Sequence, residues 1–169
     1  MRRRLIILAT ALAAACLACA GLGAGPASAM TTCTWGGTPA APTGTFTITP
    51  GITNVPSAGP LKFVATGPLA GADKRCSGLM KFDGQVDAGA SCLLPLSFEG
   101  TVQGLPGVAR WWGKGNLDVP SYLYDKAGNL VGTENAQIAT QDNSSHLLDC
   151  GTPDGFTGGT FSSNVVLFN

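Results

Sequence analysis

Histidine is almost missing from this chain: His146 is the only one among 169 residues. Charge is scarce too, at 12% of residues, and no basic cluster occurs beyond the N-terminal Arg2-Arg3-Arg4 and the pair Lys74-Arg75. The first shortage narrows nucleophilic chemistry to one imidazole, and the chain has no Gly-x-Ser-x-Gly elbow to go with it. The second argues against nucleic acid and anionic lipid as partners. Uninterrupted stretches are rare as well, because 24 Gly and 11 Pro punctuate the sequence. The one sizeable window free of both, residues 133–150, shows no clear helical stripe and leaves room only for a short helix around 134–141.

What is present begins with a leader. Three arginines precede an uncharged run over residues 5–22, and Ala27-Ser28-Ala29 then offers small residues at a cleavage site. This is the anatomy of a secretory signal peptide spanning residues 1–29. The run is just long enough to cross a bilayer, but Ala and Gly dominate its second half and the processing site follows it. Neither Cys16 nor Cys19 follows a lipoprotein-like triplet. The expected product is a secreted, extracellular protein, with association with the cell envelope left open, and not an integral membrane protein once processed. Removing 29 of 169 residues leaves 140, enough for one core. Three of the ten basic residues leave with the leader, so seven face ten acidic ones, a formal net of −3.

Four cysteines remain: Cys33, Cys76, Cys92 and Cys150. In an exported domain they make two disulfides, and no close pair exists to form a zinc knuckle. Of three connectivities, Cys76–Cys92 across a short strand-turn-strand, with Cys33–Cys150, is the favoured expectation. Several segments alternate apolar and polar residues: Thr45-Phe46-Thr47-Ile48-Thr49, Leu61-Lys62-Phe63-Val64-Ala65, and Leu96, Phe98 and Val102 between Ser97, Glu99 and Thr101. In the last strand Phe161, Val165 and Leu167 share a side. Tyr122-Leu123-Tyr124 and Leu130-Val131 flank Asp125-Lys126-Ala127-Gly128-Asn129, a type I turn closed by a glycine bulge. Eight to ten short strands predict an all-β domain over residues 43–169. The expected form is an antiparallel immunoglobulin-like sandwich, with a β-barrel as the alternative. Residues 30–42 read as an extended arm pinned by Cys33.

Candidate chemistry is thin. His146 lies near Asp142, Ser144, Ser145 and Asp149, but one polar turn rarely presents a catalytic triad, so a hydrolase is the least favoured reading. Asp83 with Asp87, or Asp118 with Asp125, are nominal acid pairs for glycoside hydrolysis, but nothing singles out a pair and solvation of turns is the favoured reading. Asp83-Gly84 and Asp142-Asn143 lack the ligand spacing of a calcium loop. No catalytic residue, metal or cofactor is assigned. The one surface singled out follows from strand alternation in Arg110-Trp111-Trp112-Gly113-Lys114-Gly115-Asn116. There Trp111 falls in phase with the core, and Trp112 shares the polar face with Arg110, Lys114 and Asn116. An exposed tryptophan among donors suits a glycan or protein partner.

Residues 47–53 (Thr-Ile-Thr-Pro-Gly-Ile-Thr), Ala65-Thr66-Gly67 and Cys76-Ser77-Gly78 resemble a family of short secreted actinobacterial proteins, a resemblance that implies export and a β-sandwich. Residues 46–50, 61–66 and Leu167-Phe168-Asn169 are more distantly similar to neocarzinostatin-type apoproteins. Those proteins close short loops with their disulfides, whereas Cys33 and Cys150 have no near partner in sequence, and no binding residue carries over. Taken together, the sequence predicts a secreted, non-enzymatic interaction or envelope module. A carbohydrate- or small-ligand-binding protein is its first alternative.

Overall fold

The computed structural model describes residues 30–115, 120–138 and 148–168. The chain is all-β, as the alternation predicts. Its strands are β1 (Thr31–Trp35), β2 (Gly37–Thr38), β3 (Ala41–Pro42), β4 (Gly44–Ile52), β5 (Leu61–Ala70), β6 (Gly78–Val86), β7 (Leu96–Gln103), β8 (Arg110–Gly115), β9 (Ser121–Tyr124), β10 (Leu130–Ile138) and β11 (Phe156–Leu167). A single 3₁₀ turn, Leu148–Gly151, precedes β11 among the described residues. The window that left room for a helix forms strand β10 instead over its first residues.

Strands β4 to β11 follow one another as an antiparallel meander, and β11 returns to pair with β4. Of the two expected architectures, the alternative is the one that forms: the sheet closes into an eight-stranded barrel rather than splitting into a sandwich. Closure depends on the length of β11. Its first half pairs with β4, from Phe156↔Ile52 to Phe161↔Gly44, and its second half pairs with β1, from Ser163↔Trp35 to Leu167↔Thr31. β5 divides in the same way between β4 and β1. Strands β1 and β4 thus lie end to end as one stave. Between them the β2–β3 hairpin steps out of the wall, and the Gly36 carbonyl accepts from the amides of Thr43 (2.7 Å) and Gly44 (3.0 Å). The residues read as an N-terminal arm are therefore extended, and the first of them complete the barrel.

The alternation sorts side chains cleanly. Phe46, Ile48, Leu61, Ala65, Phe82, Val86, Phe98, Val102, Trp111 and Leu123 point inward and are buried. Outward positions carry Thr45, Thr47, Lys62, Gln85, Glu99, Arg110 and Lys114, all exposed. This polarity is the reverse of a barrel whose outside faces lipid, and no helix among the described residues is long and apolar enough to cross a membrane. The β9–β10 hairpin forms as expected. The Asp125 amide donates to the Asn129 carbonyl (3.0 Å), and Gly128 holds a φ of 88°.

The disulfides correct the favoured pairing. They are Cys33–Cys76 and Cys92–Cys150. Cys76 and Cys92 flank β6, whose eight residue-to-residue steps hold its ends about 26 Å apart at roughly 3.3 Å per residue, so they sit at opposite ends of the barrel. Cys76 instead lies in the β5–β6 loop, which folds against β1: Arg75 Nη2 donates to Thr31 Oγ1 (2.9 Å) and forms an ion pair with Asp73 (3.1 Å). Those contacts draw the Asp73 carboxyl down to about 2, chiefly through its hydrogen bonds from Arg75. At the opposite end the Cys92 amide donates to the Thr53 carbonyl (2.9 Å) and the Asn54 amide to that of Cys150 (3.0 Å). Each end of the barrel thus carries one bridge.

Candidate functional site

The interior is filled in one half and hollow in the other. Leu69, Met80, Val102, Leu105, Val108, Leu123 and Leu167 pack the half nearest Cys33–Cys76. Toward the other end lies a cavity of about 470 Å³, within the range of small-molecule sites. Residue size explains the division. Inward positions on β9 and β10 carry Ser121 and Ala136, and Ser163 faces Ala136 from β11, whereas Gly113 on β8 makes room for the Phe98 ring, which would collide with a Cβ there. The rest of the lining is largely aromatic: Trp35, Phe46, Phe63, Phe98, Trp111, Phe156 and Phe161 all border the space. Their rings fix one another. Trp35 meets Phe161 edge-on at 4.5 Å between centroids, and Trp111 meets Phe82 in the same way at 4.1 Å. Gly84 and Gly100 lie opposite each other beneath the Phe82 ring; a Cβ on either would come within 2.6 Å of it.

One charged residue enters this wall. Glu134 sits on β10, in register with Ser121 on β9 and Val165 on β11, and its side chain is almost wholly buried. Its Oε1 accepts a short hydrogen bond from Ser163 Oγ. Its Oε2 is buried with no hydrogen-bond partner among the described residues. Burial away from water raises its pKa from 4.5 to about 7, and the hydroxyls of Ser163 and then Ser121 act in the opposite direction. The Trp111 indole N–H, on the same cavity, is likewise buried and unpaired, whereas that of Trp35 donates to the Met80 carbonyl (3.1 Å). An unpaired buried polar atom costs about 1–3 kcal/mol, and two on one cavity wall mark where an incoming molecule would find partners.

The cavity opens at the end where the β4–β5 and β6–β7 loops gather. Leu93 and Leu94, beside the Cys92–Cys150 bridge, both line the space and stand exposed, at 74% and 50%. They form an apolar lip.

The surface singled out from sequence lies elsewhere. Trp111 is buried and Trp112 points outward, at 5% and 38% exposure. Arg110 and Lys114 share the outer face of β8 with Trp112; Asn116 lies outside the described residues. Trp112 is stacked on Tyr122, with ring centroids 6.0 Å apart, so one face of its indole is already engaged. Beside it, Lys62, Asp83, Gln85, Glu99 and Arg110 border a shallow, mixed-charge depression on the outer wall.

The nominal acids do not gather. Asp83 pairs with Lys81 at 3.0 Å, which lowers its pKa. Asp87 lies four residues further along the chain, about 13 Å away at roughly 3.3 Å per strand residue, beyond the spacing of glycosidase carboxylates. Asp125 caps the β9–β10 turn through Asn129, and Asp118 lies outside the described residues, as do His146, Asp142, Asn143, Ser144 and Ser145. No group of three metal-ligating side chains occurs among the described residues.

The sequence alone does not single out Glu134. Its signal was present but faint: Gly132, Glu134 and Ala136 alternate with Val131, Thr133 and Asn135. A strand whose small residues share a face with one carboxylate reads as solvent-facing until the barrel closes around it. Comparison with known proteins brings no relative to bear. No family model, curated protein or solved structure matches the chain.

Proposed function

We propose that this is a secreted, non-enzymatic protein that binds a small apolar molecule inside its barrel. The observation that carries the reading is the half-empty interior, where an aromatic wall surrounds a buried carboxylate with one unpaired oxygen. Natural interiors are packed to crystal-like density, so a void of this size, walled by ordered rings, is out of keeping with a purely structural barrel. Eight strands are the number at which a closed sheet either fills with side chains or holds one small ligand. The leader and the two disulfides support export, and the exposed Leu93–Leu94 lip supplies an entrance of matching polarity.

The test is a titration of the processed protein with the neutral fluorophore N-phenyl-1-naphthylamine. Saturable one-to-one enhancement with a Kd of micromolar order is expected. Ala136→Phe, which puts a ring into the hollow half, should abolish it while leaving the circular dichroism unchanged. No enhancement, or enhancement untouched by Ala136→Phe, contradicts the reading.

A further inference from the structure

The geometry points to a cationic amine as the ligand: an apolar, ring-bearing molecule whose ammonium group donates to Glu134 Oε2. This inference rests on the binding reading above and adds the chemical class.

Three observations converge on it. Glu134 is held from β10 with its Oε1 engaged by Ser163 and the Ser121 hydroxyl beside the carboxyl; Oε2, which makes no direct hydrogen bond to a described residue, is left to meet a guest. No cation among the described residues already answers this carboxylate. Among the described residues that line the cavity, Glu134 is the one ionisable side chain, Cys92 being bridged. The neighbouring strands contribute Ser121 and Leu123 from β9 and Ser163 and Val165 from β11, none of them charged. On β8, Arg110 and Lys114 face outward and are exposed. A buried carboxylate without a counter-charge is costly, and an ammonium ion is the complement that relieves it. The third observation is the ring wall. Trp35, Trp111, Phe98 and Phe161 surround the same space, and indole and phenyl faces attract a desolvated cation.

A neutral guest would leave the charged carboxylate unmet, and an anionic guest would oppose it. The preference for an amine should therefore follow the ionisation of Glu134. Because burial holds that carboxyl near neutrality, the advantage is full at pH 8 and fades toward pH 5, where an alkylamine stays protonated but Glu134 does not.

The experiment compares 2-(1-naphthyl)ethylamine with 2-(1-naphthyl)ethanol by isothermal titration calorimetry on the processed protein. At pH 8 the amine should bind at least about tenfold tighter, with the gap narrowing by pH 5. At pH 7 amine binding should release protons, seen as an enthalpy that varies with the ionisation heat of the buffer. Glu134→Gln should bring the two affinities together, and an unchanged circular dichroism spectrum shows that the variant folds. Equal or weaker binding of the amine, or a preference that survives Glu134→Gln, overturns the proposal. If N-phenyl-1-naphthylamine binds and the amine does not, the amine class falls and the binding reading stands. If neither probe binds, both fall.

Discussion

Glu134 concentrates the electrostatic cost of this fold in a single side chain. Its carboxyl titrates near 4.5 in an unfolded chain and near 7 when buried. Below pH 4.5 both states are protonated and the group has no effect on stability. Between about 4.5 and 7 the unfolded state loses its proton first, so stability falls as pH rises, and it levels off above 7. At about 1.4 kcal/mol per unit the loss amounts to roughly 3 kcal/mol. Glu134→Gln should remove this dependence. Urea denaturation of both proteins at pH 4.5, 6 and 8 is expected to show the variant gaining on the wild type as pH rises. A gap that stays constant with pH would mean the carboxyl is not desolvated as described. At this scale the sequence was a poor guide. It drew attention to Trp112 because a tryptophan among basic residues is conspicuous, whereas a glutamate in Gly-Thr-Glu-Asn-Ala looks solvated. Only closure of the barrel, a contact between segments more than 80 residues apart, turns its face inward.

At the scale of single elements the alternation was legible and the cross-links were not. Strand β8 shows why the first succeeded. Period-two geometry alone sends Trp111 in and Trp112 out, and nothing later in the chain has to be known. Trp111→Ala should cost about 3–5 kcal/mol, because its ring packs against Trp35, Phe63, Phe82 and Phe98. Trp112→Ala loses one exposed stack on Tyr122 and should cost about 1 kcal/mol or less. Denaturant melts of the two variants measure the difference directly, and equal losses would contradict the assigned faces. The disulfides illustrate the opposite case. Pairing Cys76 with Cys92 looks economical in sequence until β6 is recognised as a full-length stave. The pairing is decided by which barrel end each loop occupies, and that follows from strand count and order rather than from spacing.

For the molecule as a whole, the choice between sandwich and barrel turned on closure. Local pattern gives the same strands for either. What selects the barrel is that β11 is long enough to pair with β4 along one half and β1 along the other; small residues on β9 and β10 then leave the enclosed space partly empty. In the proposed reading, function resides inside this space and not on the outer Trp112 surface. The protein contains three tryptophans, two on the cavity wall and one outside, so each indole N–H reports a different location. The decisive measurement is a ¹H–¹⁵N correlation spectrum of ¹⁵N-labelled processed protein, recorded while 2-(1-naphthyl)ethylamine is added. The Trp111 signal, whose N–H lacks a partner among the described residues, should move most and Trp35 with it, while Trp112 stays in place. Movement of Trp112 alone, or of none of the three, would contradict this reading.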